Sequence, residues 1–418
     1  MDLTKKLFYK NIFFYFIGIV IGGAINFFSI PLIIEMYGVE NYGQFSLIQN
    51  IILIIISFGS GWLNQNILRF NNNSTTFKVN ILLLYYVVIL PITILSIFTI
   101  LLLKYSLLIA LLGSLTIAIG GITTIINTFY QSTFNAKKNV FFDIFRVLGF
   151  VVLVYIFSLI KQGDLVLYLV ISFFVSYLIA FISKLRNDFS LLINIFKMFI
   201  NKLQQQKIKQ LFVENKVFLQ YGLPLSLWFT FSSMLNVGDR YIINLLLDKA
   251  AVGNYSAIYD LIYKGISISF TPILSAGYPI ISKLYNNGEA KKAYGFIRKL
   301  IAFEVLILIV GTVTALALDQ FFLEKIVRVQ YTDTNAKLVP LILIGAIIWQ
   351  IAMLAHKPLE LKLKTKVMLV FVTIALILNL GINFMFVPIY GIIVSAYATI
   401  ISAFLYLLFC LIYSSFNK

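Results

Sequence analysis

Two pairs of charged side chains lie inside hydrophobic runs of this chain: Asp239 with Arg240, and Asp260 with Lys264. A charged group within a membrane span costs roughly 2.5–3.5 kcal/mol on insertion scales, so by default it marks function. Asp260 and Lys264 stand four residues apart, share one helix face and can pair. The turn between the two runs falls near Ala250, about ten residues from both Arg240 and Asp260. At 1.5 Å per residue, both sit about 15 Å below that turn, at matching depth. Asn236 and Asn244 add polar groups to the first run. Two readings fit these residues. They form a self-satisfied ion-pair cluster that holds a helical hairpin together, or they line a water-filled cavity. Asn26, Asn64, Arg69 and Arg146 are weaker candidates, since polar groups near span ends are more often rim or packing residues than ligands.

The elements that must position these groups are membrane helices. Of 418 residues, 61% are hydrophobic and 12% charged, against roughly 45–50% and 25% in soluble domains. A water-soluble fold of this length cannot hide so much apolar surface, whereas lipid solvates it directly. One cysteine, Cys410, and one histidine, His356, exclude disulfide frameworks and Cys/His metal sites. The net charge of +17 fits a basic cytoplasmic face rather than a nucleic-acid partner. Runs of about 20 apolar residues predict an all-α polytopic membrane protein of about twelve spans. They lie near 10–34, 44–66, 79–103, 106–130, 140–160 and 164–183, then 217–247, 251–281, 297–318, 338–356, 367–387 and 391–413. With both termini cytoplasmic, 25 Lys and Arg residues fall inside. Only Lys104, Lys161, Lys249, Lys325, Arg328 and Lys337 fall outside. That asymmetry is the positive-inside rule.

The longest break, 184–216, is basic and divides the chain into an N-terminal six-helix bundle, 1–183, and a C-terminal one, 217–418. Within it, Phe189–Asn201 reads as an interfacial amphipathic helix suited to an anionic leaflet, or more blandly as a tether. The halves resemble each other. Val39, Asn41 and Tyr42 recur as Val252, Asn254 and Tyr255, each set in the turn after the first span of its half. A parallel repeat of six spans is a transporter architecture, although channels and membrane enzymes also contain repeats. No G-x-x-x-x-G-K-[ST] loop, G-x-S-x-G elbow or H-E-x-x-H helix occurs, which makes catalysis the weaker class.

Several stretches resemble one family. They are Asn26 to Pro31 followed by Tyr37-Gly38-Val39-Glu40-Asn41-Tyr42-Gly43, then Tyr221-Gly222-Leu223-Pro224, then Gly238-Asp239-Arg240-Tyr241 and Val252-Gly253-Asn254-Tyr255. Late in the chain Lys364-Thr365-Lys366, Asn379, Asn383, Pro388 and Tyr390-Gly391 continue the likeness. Together they resemble the polysaccharide (O-antigen type) flippases of the multidrug/oligosaccharidyl-lipid/polysaccharide (MOP) exporter superfamily. The resemblance implies two six-helix bundles around a central cavity, alternating access and the bacterial inner membrane. It also implies movement of a polyprenyl-pyrophosphate-linked oligosaccharide, an O-antigen or capsule repeat unit, to the outer leaflet. The partners implied are that lipid-linked glycan, membrane lipids, and a polysaccharide polymerase with its chain-length regulator. No cofactor is expected beyond a coupling ion, H+ or Na+. Arg240, Lys264, Asp239, Asp260 and Asn236 would meet the head group, with Arg69 and Arg146 attracting it at the cytoplasmic mouth and Asn26 and Asn64 nearby. The four span charges sum to zero when all are ionised. Either the carboxylates release the cations when substrate arrives, or one is protonated and couples transport to an ion. The alternatives are an exporter of drugs or organic cations from the related multidrug and toxic compound extrusion (MATE) family, and a membrane polymerase or glycosyltransferase.

Overall fold

The computed structural model describes residues 3–70, 75–133, 136–160, 163–204 and 216–416. Among them every regular element is helical, and twelve helices run for 23 residues or more. In chain order they are α1 (Leu3–Tyr37), α2 (Val39–Phe70), α3 (Thr75–Leu102), α4 (Leu107–Ser132), α5 (Ala136–Ser158) and α6 (Leu165–Gln204). The second half gives α7 (Lys216–Leu246), α8 (Lys249–Asn286), α9 (Ala290–Ala317), α10 (Asp333–Ala355), α11 (Thr365–Tyr390) and α12 (Ile393–Phe416). Nine of the described helices are long and apolar enough to cross a membrane, or ten if the sharply bent stretch from Ala290 to Val327 counts as one span. The helices α7 and α8 are longer than most of the nine, but hold all four span charges and many other polar side chains.

Helix α6 corrects the reading of its far end. It continues unbroken for 40 residues to Gln204, so the amphipathic stretch 189–201 extends a span instead of forming a separate helix. No glycine or proline interrupts 165–204, and at about 60 Å the helix is twice as long as the hydrocarbon core is thick. The rest of the expected linker, 205–215, lies outside the described residues.

Two compact units emerge from the packing. One comprises residues 1–22 with 48–230, the other 23–47 with 231–418. The boundaries fall inside α1, α2 and α7, so each of these helices is divided between units. In the second unit, α11 and α12 are joined by buried polar groups: Ser395 Oγ donates to Asn383 Oδ1 at 2.6 Å, and Asn379 Nδ2 donates to Ser402 Oγ at 3.2 Å. Such hydrogen bonds join helices where lipid offers no hydrophobic drive for association.

Also in the second unit, the start of α2 touches the start of α8 backbone to backbone. A Cβ on Gly43 would stand 2.6 Å from Gly253 Cα, and one on Gly253 would stand 2.5 Å from the Val39 carbonyl oxygen. Glycine is required at this crossing because any side chain would force the helices apart. The turn into α2 is made by Gly38 at φ +85°, where an L side chain is strained.

Candidate functional site

That close crossing positions the charged residues. Arg240 on α7 is buried, and its Nη2 lies 2.7 Å from Asp260 Oδ1 on α8. Its Nη1 donates to Ser46 Oγ on α2 at 2.8 Å, and its guanidinium sits 4.8 Å over the Tyr259 ring. The Nε has no acceptor among the described residues. Asp260 is the hub. Its second oxygen accepts from Tyr42 Oη at 2.6 Å and from Ser46 Oγ at 3.1 Å, which gives it three donors in all.

Asp239 is fully buried and separately satisfied. It accepts from Tyr255 Oη at 2.5 Å and from the Arg240 backbone N–H at 2.9 Å. Tyr259 Oη reaches Asn236 Oδ1 at 3.3 Å, and Asn236 donates in turn to the Ser232 carbonyl. Gln44 donates to Asn244, and Tyr241 Oη donates to the Leu47 carbonyl, so α2 is tied to α7 on both sides of the cluster. The ring of Tyr259 also stacks on Tyr263, with centroids 5.8 Å apart.

The expected Asp260–Lys264 pair does not form. Asp260 turns to Arg240, whose planar fork offers two donors where an ammonium offers a point charge. Lys264, half-buried one turn farther along α8, has no carboxylate within ion-pair distance among the described residues. The matching depth of Arg240 and Asp260 is observed. Nothing in local sequence spacing pointed to Tyr42 and Ser46, which come from the other repeat.

The remaining candidates are Asn26, Asn64, Arg69 and Arg146. Asn26, in the second unit, accepts from Ser29 Oγ through its backbone carbonyl at 2.8 Å. Arg146 and Asn64 belong to the first unit. Arg146 lies 4.8 Å over the Tyr177 ring, and Asn64 Oδ1 is buried with no donor among the described residues. Arg69 falls on α2, with its side chain outside the described residues. Near Arg146, Lys184 was expected in a cytoplasmic linker. It is instead buried at the end of a span, where Nζ donates to the Thr123 carbonyl at 3.3 Å and lies over Phe142. Its long apolar stem makes that burial tolerable.

One buried acid escaped the sequence reading altogether. Glu304, on α9, is fully buried, and neither carboxylate oxygen has a donor among the described residues. The signal was present, since it is the one charged residue between Leu300 and Ala317.

Similarities to known proteins agree with this architecture. A family model described as "Polysaccharide biosynthesis protein" matches residues 8–285. An inward-facing multidrug resistance MATE family transporter of the MOP superfamily aligns over 94% of each chain, with 12% identity and a TM-score of 0.68. The lipid II flippase MurJ, in an inward closed conformation, aligns over 96% of this chain and 87% of its own, with 17% identity and a TM-score of 0.66. A MOP superfamily transporter from Pyrococcus furiosus, whose structure is described as having a binding pocket of reversed polarity, aligns over 98% and 95%, with 12% identity and a TM-score of 0.63. At these identities the likeness is one of fold. No curated protein matches the sequence.

Proposed function

Because the chain belongs to the polysaccharide biosynthesis protein family, we propose that it is a flippase for a lipid-linked glycan, not an enzyme. In this reading it moves a polyprenyl-pyrophosphate-linked oligosaccharide, such as an O-antigen or capsule repeat unit, by alternating access across the bacterial inner membrane. Both termini are cytoplasmic, and the glycan leaves toward the outer leaflet.

One observation carries the choice of an anionic substrate. Lys264 stands inside a membrane helix with no carboxylate within ion-pair distance among the described residues, while Asp239 and Asp260 each accept from hydrogen-bond donors. The formal sum of the four charges is zero. Their geometry is nonetheless lopsided: the acids are occupied, and the accessible group is a cation. Its natural complement is a pyrophosphate oxygen. Arg240 is the reserve cation, available to substrate only when Asp260 and Ser46 release it. A MATE-type exporter of organic cations fits less well, because such a site needs an acid free to receive the cation, and both acids of this cluster are hydrogen-bonded.

Purified protein in liposomes tests the reading. A fluorescent polyprenyl-pyrophosphate disaccharide should become accessible on the opposite leaflet with its mass unchanged. A change of mass would make the protein an enzyme, and movement of organic cations in place of the lipid would make it a drug exporter.

A further inference from the structure

Helix α9 presents a buried stripe on which Ala293 and Ile297 meet Ile281 of α8 and Leu354 of α10. Two turns on from Ile297 the same stripe carries Glu304, and Gly311 continues it against Leu343 and Ile347 of α10. A leucine would be expected at such a position. The acid there is sealed from solvent, with both oxygens lacking a donor among the described residues. An ionised carboxylate in that setting has nothing to offset its desolvation.

The ionisable groups on the packed helices do not relieve it. Those with described side chains include Tyr263, Lys264 and Tyr285 on α8, Tyr294, Arg298 and Lys299 on α9 itself, Lys337 on α10 and His356 just past its end. Among the described residues none forms an ion pair or hydrogen bond with Glu304. Asp260 is held by Arg240, and His356 is turned to Tyr406 and Glu360. A hard metal cation would need several more oxygen ligands, and no cluster of metal-binding side chains occurs among the described residues. Among the described residues, a proton is the neutralising species that this site can hold.

We propose that Glu304 is a proton-binding site, loaded in this conformation and unloaded in another during the transport cycle. The second half of that statement rests on the transport reading above. The carboxyl is sealed here. An apolar cavity of about 410 Å³, lined by α8, α9, α10, Phe27 of α1 and the bent stretch after α9, reaches Gly311, seven residues away, or about 10 Å along α9. The proton therefore exchanges only when these helices move apart, and that requirement ties its release to a conformational change.

Two readouts test the proposal with the full chain. In the infrared spectrum of the purified protein at neutral pH, the band of a protonated carboxyl should be present, and Glu304→Gln should lose part of it. An unchanged band would overturn the proton site whether or not the protein is a flippase. In liposomes bearing a pH gradient, the fluorescent polyprenyl-pyrophosphate disaccharide should accumulate with the wild type, and Glu304→Gln should lose the dependence on the gradient. Gradient-driven accumulation by Glu304→Gln would overturn coupling at this residue. If the wild type moved no probe, the transport reading would fall, coupling with it, and the infrared band alone would decide the proton site. Glu304→Leu, which completes the apolar stripe, should fold with a higher thermal midpoint and lack both the band and the gradient response.

Discussion

Tyr42 and Tyr255 occupy equivalent places in the internal repeat, 213 residues apart, and each donates its hydroxyl to a different carboxylate of one cluster. Tyr42 reaches Asp260 at 2.6 Å, and Tyr255 reaches Asp239 at 2.5 Å. The repeat thus supplies the cluster twice, once from α2 and once from α8. The two bonds are not equivalent in energy. Asp260 keeps Arg240 and Ser46 when Tyr42 is lost, whereas Asp239 keeps only backbone N–H groups as donors when Tyr255 is lost. Tyr42→Phe should cost about 1 kcal/mol and Tyr255→Phe about 2–3 kcal/mol. Thermal unfolding in detergent reads the order, and a larger loss from Tyr42→Phe would contradict this assignment of partners.

Much of this was legible in the sequence, because lipid enforces simple rules. Helix lengths, the repeat, and the equal depth of Arg240 and Asp260 follow from hydropathy and rise per residue. The partner of Asp260 was not legible. The favoured candidate was Lys264, one turn away, but Arg240 is brought by a neighbouring helix, and Tyr42 and Ser46 by a hairpin 200 residues earlier. Local spacing sees neighbours on one helix and not contacts made across several. Lys184 was misplaced for a different reason: a charge at a span end looks solvated unless its stem is known to be packed.

Gly253 offers a test of the helix crossing that is independent of charge. Its Cβ position is filled by the Val39 carbonyl, so Gly253→Ala must separate α2 from α8 and lengthen the bond from Tyr42 to Asp260. The expected loss is about 1–3 kcal/mol, as for overpacking. Gly38→Ala, strained at φ +85° but with nothing within 4 Å of its Cβ, should cost less. Equal melting temperatures for Gly253→Ala and the wild type would mean that the crossing is looser than described.

Reporter fusions address orientation. Fusions near Lys209 and Lys291 should read cytoplasmic, and those near Asn41, Asp248 and Asp333 external, following the distribution of basic residues. An external 205–215 segment would reverse the direction of transport proposed here.

Lys264 is expected to separate stability from activity. It has no ion pair to lose among the described residues, so Lys264→Ala should leave the melting temperature within the range of a neutral substitution, about 0.5 kcal/mol. Export of surface polysaccharide in a strain lacking the native gene should fall sharply, and Lys264→Arg should restore part of it by keeping the charge. Full export by Lys264→Ala would remove this residue from the substrate path.

The Arg240–Asp260 pair should behave in the opposite manner. Removing either partner strands a charge among buried neighbours, which costs about 3–5 kcal/mol. The two losses should differ in detail. Asp260→Ala leaves Arg240 with Ser46, the Tyr259 ring and the neighbouring Asp239. Arg240→Ala leaves Asp260 with two hydroxyl donors, Tyr42 and Ser46, and only the more distant Lys264 as a cation. Arg240→Ala is therefore expected to lower abundance at least as much as Asp260→Ala. The double variant, with neither charge, should recover most of the abundance, because a pair of hydroxyls tolerates a neutral neighbour far better than an orphan ion. Export then decides the role of the pair. If Arg240 meets the pyrophosphate once Asp260 and Ser46 release it, the recovered double variant remains inactive, and Arg240→Lys is active at a reduced rate because the ammonium keeps the charge and loses the fork. A double variant that regained both abundance and export would reduce the pair to a helix clamp and leave Lys264 as the one cation acting on substrate.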